Sequence, residues 1–98
     1  MSDIPPFAEQ VLSVVERIPA GRVMSYGDIA EYLGSPAPRR VGQVMFRYGA
    51  SVPWHRVLRA DGTPAPQIRE EQLALLRAEG VPIRGSRVQM RLARWDGR

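Results

Sequence analysis

The sequence predicts a mainly α fold, a small helix-turn-helix or winged-helix-like domain with a short β wing. Its 98 residues are the length of one domain, so residues 1–98 are predicted to form a single unit. Apolar residues recur at helical spacing in four segments, and Gly and Pro residues separate these segments. The second and third segments form two short helices around a tight Gly/Pro turn, which is the helix-turn-helix pattern.

The first two helices have recognisable start signals. A Pro-Pro pair at residues 5–6 opens the first helix, and its apolar stripe runs to Ile18 before a Pro-Ala-Gly stop. Ser25 and Asp28 fit the capping-box pattern, so a second helix is expected to start near Ser25 and to end at Gly34.

A third helix is predicted from about Arg39 to Tyr48. Its apolar stripe consists of Val41, Val44, Met45 and Tyr48. Gly42, at the margin of that stripe, allows another backbone to come close. The opposite face carries Arg39, Gln43, Phe46 and Arg47, as expected of a recognition helix.

The second half of the chain is predicted to hold fewer regular elements. Residues 51–58 read as an extended segment, residues 59–66 as a wing-like excursion, and residues 67–79 as a fourth helix. The predicted apolar stripe of that helix consists of Ile68, Gln72, Leu75 and Leu76, broadened by Leu73 and Ala78. Glu79 falls on the same side, and a carboxylate there requires a partner. Alternation of Val88, Met90 and Leu92 predicts a short strand, and we expect the last few residues to be disordered.

Three residue types are missing from the sequence: Cys, Lys and Asn. The lack of Cys excludes disulfides, thiolate metal sites and a cysteine nucleophile. A single His excludes a multi-histidine metal site, so we expect no metal and no cofactor. All 14 cations are Arg, which codon composition is enough to explain. Arg nevertheless offers a planar fork to phosphates and base edges.

The net charge of +4 is distributed unevenly. Residues 39–59 contain five Arg and no acidic residue, and residues 81–98 carry +4, whereas the other segments are acidic. This layout favours an anionic partner that meets one face, although solubilising surface charge is an alternative explanation. The sequence has no apolar run long enough to span a membrane, and its acidic start lacks the features of a secretory signal. We therefore expect a cytoplasmic protein, associated with the nucleoid if it is bacterial.

The segment Pro53–Val57 (PWHRV) concentrates the residues that could carry chemistry. It joins the only His to one of two Trp and to an Arg, directly after the predicted recognition helix. A purely structural role, with Trp54 in the core and His55 hydrogen-bonded beside it, is the alternative.

Five segments of the chain together resemble one family. They are IPAGRV at 18–23, SYGDIA at 25–30, RRVGQVM at 39–45, PWHRV at 53–57 and AEG at 78–80. The chain resembles the C-terminal domain of O6-alkylguanine-DNA alkyltransferases, and it is more similar still to their non-catalytic relatives, the alkyltransferase-like proteins. The alkyltransferases read PCHRV, and Trp54 stands where their alkyl-accepting Cys would be. The resemblance implies a protein that binds O6-alkylguanine in double-stranded DNA without alkyl transfer and flags it for nucleotide excision repair.

The resemblance also assigns roles to individual residues. Tyr26 is similar to the Tyr that rotates the flipped nucleotide outward, and Arg39 is similar to the arginine finger that fills the gap in the base stack. The alternative for Arg39 is a phosphate contact. His55 and Glu79 match a proton relay that here has no thiol to serve and is expected to be structural. The DNA-binding set is Tyr26, Arg39, Arg40, Gly42, Gln43 and Arg47, and the recognition helix is expected in the minor groove. The lesion pocket is expected to comprise Tyr26, Trp54, His55, Arg56, Val57 and Arg69.

The segment between Met45 and Pro53 is shorter than in the alkyltransferases and lacks their hinge Asn. The family's contact to the modified base falls on either Gln67 or Arg69, and the charge of Arg69 favours it slightly.

Two other functions compete with lesion binding. The first is a sequence-specific transcriptional regulator of the winged-helix type, which would need a dimer interface. No long apolar dimerisation helix is visible, so a monomer is expected. The second is a DNA enzyme with another nucleophile, but no Ser, Thr or Tyr lies beside the His in PWHRV. The expected partners are damaged duplex DNA and nucleotide excision repair proteins, with no membrane.

Overall fold

The fold is built on five α-helices in the part of the chain that the computed structural model describes, residues 3–98. Short 3₁₀ turns occupy Gly49–Ser51, Trp54–Arg56 and Pro66–Ile68. Within residues 3–98, no helix has both the length and the apolar character needed to cross a membrane. The helices are α1 (Pro6–Arg17), α2 (Tyr26–Tyr32), α3 (Pro38–Tyr48), α4 (Arg69–Ala78) and the short α5 (Met90–Ala93).

In the described residues, two pairs of two-residue strands connect the helices. Strand β1 (Met24–Ser25) pairs in parallel with β2 (Val57–Leu58), and Met24 lies opposite Val57. Strands β3 (Ile83–Arg84) and β4 (Arg87–Val88) form an antiparallel hairpin. Because β1 leads directly into α2 and β2 directly follows Trp54–Arg56, the parallel pair holds the start of α2 beside the PWHRV segment.

The first three helices follow their sequence signals. The side chain of Ser25 accepts a hydrogen bond from the Asp28 amide, and the Asp28 carboxylate accepts one from the Ser25 amide, both at 2.9 Å. This capping box satisfies amides at the start of α2 that have no partner within the helix, and it was predicted from the sequence. Helix α3 buries Val41 and Val44, in agreement with the predicted stripe.

The buried apolar residues form two clusters. The larger one joins α1, α2, α3 and the strand pair, and contains Ala8, Val11, Val14, Val15, Ile18, Met24, Ile29, Ala30, Val41, Val44 and Val57. The smaller one lies under α4 and the hairpin, and contains Val23, Leu58, Leu76, Val81, Val88, Met90 and Ala93. Val57 belongs to the larger cluster and Leu58 to the smaller one, so β2 is anchored in both.

The wing differs from the sequence prediction in position. Residues 59–66 form a turn, in which the Arg59 amide donates to the Thr63 carbonyl at 3.2 Å, and the hairpin is formed by residues 83–88. Gly62 has a φ of +85°, and a Cβ at this position would overlap the Val88 carbonyl. The Val88 amide donates to the Gly62 carbonyl, so the turn is fastened to the hairpin and is not free to extend into a wing.

The face of α4 and the tail also differ from the predictions. The buried residues of α4 are Gln72, Leu73 and Leu76, whereas Ile68 and Leu75 are more than a third exposed.

The predicted strand through Val88, Met90 and Leu92 ends at Val88, because Met90–Ala93 is a helical turn that buries Met90 and Ala93. Leu92, which the alternation placed with them, is exposed.

Arg94 and Trp95, near the end of the chain, are held against the body, and disorder of the last few residues stays a prediction. The Trp95 amide donates to the Val23 carbonyl at 2.8 Å, and the Trp95 side chain packs on the larger cluster. Arg94 Nε donates to Asp28 Oδ2 at 2.9 Å, which connects the tail to the first turn of α2.

Candidate nucleic-acid interface

The outer face of α3 is exposed and basic. Arg39, Gln43, Phe46 and Arg47 are all exposed, and Phe46 is 95% exposed. Within residues 3–98, the Arg39 side chain has no hydrogen-bond or ion-pair partner, so its guanidinium remains available to a ligand. The Arg40 guanidinium, in contrast, lies over the Phe7 ring at 4.2 Å from its centroid, which holds it against α1.

A wide groove runs along this face of α3. Its volume is about 930 Å³, and its walls come from the start of α1, from Tyr26 and from α3. Three cations, Arg39, Arg40 and Arg47, line the groove, and no acidic residue is among the lining residues of the described chain. The groove is therefore suited to an anionic partner.

A second, smaller cavity of about 440 Å³ lies between α3 and α4, and we call it the α3–α4 cavity. Its volume is in the range of sites that enclose small organic groups, roughly 300–1,000 Å³. Tyr26, Gly42 and Phe46 line both this cavity and the groove, so the two openings adjoin on one face. The lining residues are Tyr26, Gly42, Met45, Phe46, Gly49, Ala50, Trp54, Val57, Ala65, Ile68, Glu71 and Gln72.

Tyr26 is the first residue of α2 and stands where the groove meets the cavity. Burial raises the pKa of the Tyr26 hydroxyl, and the nearby positive charge of Arg59 partly opposes this increase. The phenol is therefore neutral at physiological pH and can donate a hydrogen bond. The lining holds no thiol, because the chain contains no Cys, and a phenol with a raised pKa is a poor nucleophile.

The wall that carries Trp54 is supported from behind by the carboxylate of Glu79. Arg56 donates to it through Nε at 3.0 Å and through Nη2 at 2.7 Å, in a two-pronged ion pair. His55 Nε2 lies 2.7 Å from Glu79 Oε2, and the Gly21 amide donates to Oε1 at 3.1 Å. The carboxylate thus joins the PWHRV segment, the loop after α1 and the end of α4, and Arg56 Nη1 also donates to the Ile18 carbonyl.

These donors change the ionisation of Glu79. The hydrogen bonds from Arg56, and then those from His55 and Gly21, lower the pKa of Glu79 to about 2, against the opposing effect of burial. The carboxylate is therefore ionised at physiological pH and only accepts hydrogen bonds, so His55 carries a proton on Nε2. This geometry makes His55 and Arg56 supporting residues of the wall.

Gln72 holds the same segment from the side of α4. Its side-chain amide is almost completely buried and donates to the carbonyls of His55 and Val57, each at 2.9 Å. Both amide protons are used, so the buried polar group on this face of α4 is satisfied.

The structure separates the predicted pocket residues into two groups. Tyr26, Trp54 and Val57 line the α3–α4 cavity. His55 and Arg56 lie behind its wall, where they contact Glu79, and Arg69 is not among its lining residues. A contact of these three residues with a lesion base stays a prediction.

Neither Gln67 nor Arg69 lines the cavity, so the choice between them as the contact to the modified base stays open. Both line a neighbouring surface depression that shares Ile68 and Glu71 with the cavity. Ile68, Glu71 and Gln72 follow at i, i+3 and i+4 and share one face, whereas Arg69 is rotated away from that face.

Sequence reasoning missed Met45, Phe46, Ile68, Glu71 and Gln72 as cavity residues. The spacing of Ile68 and Gln72 was visible in the sequence, but it was interpreted as part of a core stripe, and Glu71 was not placed on that stripe. Within residues 3–98, no group of His, Cys, Asp or Glu could hold a metal ion.

Comparison with known proteins relates the chain to a family with a DNA-binding domain. Residues 6–81 match the family model described as 6-O-methylguanine DNA methyltransferase, DNA binding domain. The "DNA base-flipping protein" of Escherichia coli (strain K12) is 41% identical over 97 residues, which cover 92% of this chain and 74% of the relative. "Alkyltransferase-like protein 1" of Schizosaccharomyces pombe is 39% identical over 84 residues, covering 79% and 78%.

The fold is similar to a crystal structure of S. pombe Atl1 in complex with damaged DNA containing O6-carboxymethylguanine. The TM-score is 0.81 at 32% sequence identity, and the match covers 96% of this chain and 98% of the other.

Proposed function

Because this chain belongs to the 6-O-methylguanine DNA methyltransferase family through its DNA-binding domain, we propose that it binds O6-alkylguanine in double-stranded DNA. The observation that carries this proposal is the adjoining pair of openings, a basic groove along α3 and a cavity beside it. In the proposed complex α3 lies in the minor groove, and the lesion base is flipped into the α3–α4 cavity. Tyr26 turns the nucleotide outward, Arg39 fills the vacated stack, and Arg40, Gly42, Gln43 and Arg47 contact the DNA backbone.

The proposed binding involves no alkyl transfer. A transfer to the protein needs a nucleophile at the lesion, and this chain contains no Cys. From the similarity of PWHRV to the family's PCHRV, we infer that Trp54 takes the place of the alkyl acceptor. Trp54 contributes a flat apolar wall on which the modified base can pack. Lesion binding without removal aids repair only if another activity excises the lesion. We therefore assign the next step to nucleotide excision repair proteins, which the bound monomer recruits.

The proposal is tested with duplexes that carry one O6-methylguanine or the unmodified guanine. We expect tighter binding to the modified duplex, and increased fluorescence from 2-aminopurine placed at the flipped position. After incubation, mass spectrometry should show unchanged protein and an intact lesion. A mass increase of the protein by one alkyl group, or a repaired base, would contradict the proposal. Selection of a fixed palindrome from random duplexes would instead favour a sequence-specific regulator.

Affinity for DNA should decrease steeply as salt concentration rises. Each Arg that neutralises a phosphate releases a counterion, so the slope of log affinity against log salt reports the number of such contacts. If about four phosphates are neutralised, affinity should drop about a hundredfold between roughly 50 and roughly 200 mM salt. Fluorescence anisotropy over a salt series measures the slope, and an affinity independent of salt would show that the basic groove is not the contact surface.

Replacing Gly42 by Ala should affect stability and binding in opposite directions. A Cβ at Gly42 meets no atom within 4 Å, and Ala is favoured over Gly inside a helix by about 0.5–1 kcal/mol. The Gly42→Ala variant should therefore unfold at higher denaturant concentration. Its DNA affinity should nevertheless decrease, because the methyl group stands between α3 and the DNA backbone. Chemical denaturation and anisotropy check the two effects, and unchanged DNA affinity would show that no backbone approaches this position.

A further inference from the structure

Phe46 is a large apolar side chain that contributes little to the fold. It lies on α3 and is 95% exposed, whereas Leu92, another exposed apolar residue, is 56% exposed. Single exposed apolar residues are common on protein surfaces. The position of Phe46, and not its exposure alone, therefore determines what it can do.

The ring of Phe46 stands at the boundary between the groove and the α3–α4 cavity and lines both. Arg39, Gly42 and Phe46 follow at i, i+3 and i+7, so they lie on one face of α3. The rise of an α-helix places Phe46 about 10 Å along the axis from Arg39. Arg39 does not line the cavity, so the two residues occupy different parts of the same face.

The charge around Phe46 indicates the class of its partner. Arg39, Arg40 and Arg47 share the groove lining with Phe46, and no acidic residue lines the groove in the described chain. A second copy of this face would place like charges opposite each other, which disfavours a symmetric dimer here. A nucleic acid combines negative phosphates with apolar sugar and base faces, and minor-groove proteins insert Phe and similar residues among such groups.

We propose that Phe46 packs on the flipped nucleotide at the entrance of the α3–α4 cavity and so stabilises the flipped state. Arg39 stabilises the same state from inside the duplex, where it fills the gap in the base stack. This inference rests on the proposed function and adds a residue that determines the preference for damaged DNA. The ring makes no charge contact, so its contribution should be independent of salt, unlike that of the Arg residues of α3.

The test compares Phe46→Ala with the wild-type protein on matched modified and unmodified duplexes across a salt series. The loss of base–aromatic stacking should weaken binding to the O6-methylguanine duplex about five- to thirtyfold. Binding to the unmodified duplex should change by less than about twofold, and the salt slope should stay that of the wild-type protein. Phe46→Trp keeps an aromatic face and should bind within about threefold of the wild-type protein.

Two further variants serve as comparisons. Leu92→Ala removes an exposed apolar side chain that lines neither the groove nor the cavity, and it should leave both affinities unchanged. Arg47→Ala removes a groove cation and should lower the magnitude of the salt slope by about one, a change that Phe46→Ala should not produce.

The outcomes separate the inference from the proposed function. If the wild-type protein prefers the modified duplex and Phe46→Ala binds it equally well, the inference is wrong and the proposed function stands. An equal loss on both duplexes also overturns the inference, because Phe46 then contacts undistorted DNA. If the wild-type protein shows no preference for the modified duplex, the proposed function and the inference fail together.

Discussion

The Arg39→Ala variant should lose most of its preference for damaged DNA while it folds normally. The Arg39 side chain is exposed and without a polar partner in the described chain, so its removal should not change the free energy of unfolding appreciably. In the proposed complex, the guanidinium stacks in the gap that the flipped base leaves and hydrogen-bonds the orphaned partner base. Loss of both interactions should weaken lesion binding by roughly 1–3 kcal/mol, about five- to 150-fold.

A charge-conserving variant distinguishes this role from a phosphate contact. Arg39→Lys keeps the positive charge but lacks the flat guanidinium. DNA binding by this variant should keep the salt slope of the wild-type protein, but it should no longer increase the fluorescence of 2-aminopurine at the flipped position. Arg77→Ala is the matched control, because Arg77 is an exposed residue of α4 outside both the groove and the cavity. Equal lesion affinity of the wild-type protein and Arg39→Ala would refute the finger role.

The Glu79→Gln variant should be strongly destabilised. The substitution removes the charge that Arg56 and His55 share, and it leaves the partly buried Arg56 guanidinium without its ion-pair partner. Breaking one side of such a pair should lower the free energy of unfolding by about 2–4 kcal/mol. For a domain of this size, that corresponds to a decrease in Tm of about 4–8 °C per kcal/mol. Chemical and thermal denaturation at neutral pH measure the loss.

The same carboxylate predicts how stability depends on pH. The folded-state pKa of Glu79, about 2, lies below the ordinary value of 4.5, so its contribution is fully present above pH 4.5. The contribution should be lost progressively as the pH falls from 4.5 toward about 2, because the unfolded state binds the proton more readily.

The difference in the free energy of unfolding between the wild-type protein and Glu79→Gln should therefore decrease as the pH falls from 4.5 toward about 2. Glu16→Gln, an exposed carboxylate on α1, should change stability by less than about 0.5 kcal/mol. If the difference in the free energy of unfolding between the wild-type protein and Glu79→Gln stays constant from neutral to acidic pH, the destabilisation comes from lost packing and not from the lost charge.

Local signals in the sequence were sufficient for the helical half of the fold. The capping box at Ser25 and the apolar stripe of α3 were each readable from a few neighbouring residues, and both are present as predicted. The sequence also predicted that Glu79 needs a partner, because a carboxylate on an apolar stripe is costly to leave unpaired. The resemblance assigned Glu79 to His55, but the bidentate contact from Arg56 was not anticipated.

Contacts between distant segments account for the errors. Alternation through Val88, Met90 and Leu92 indicates a strand, but Gly62 pairs with Val88 and the chain turns into α5 directly afterwards. The position of Arg69 depends on where the turn at Pro66–Ile68 ends, and a shift of one residue rotates a helical side chain by about 100°. Periodicity measures the direction of a side chain only relative to its own helix, so it could not show whether Ile68 faces the core or a cavity.

In the Trp54 wall, the atoms that hold the PWHRV segment in place are different from the atoms that line the cavity. The polar bonds that fasten this segment run from His55, Arg56 and the backbone to Glu79 and Gln72. Within residues 3–98, the Trp54 side chain takes part in none of them. The side chain at position 54 can therefore change without the loss of a polar bond that fastens the wall. Selection for new adducts can act at Trp54, while selection for a stable frame acts at Glu79.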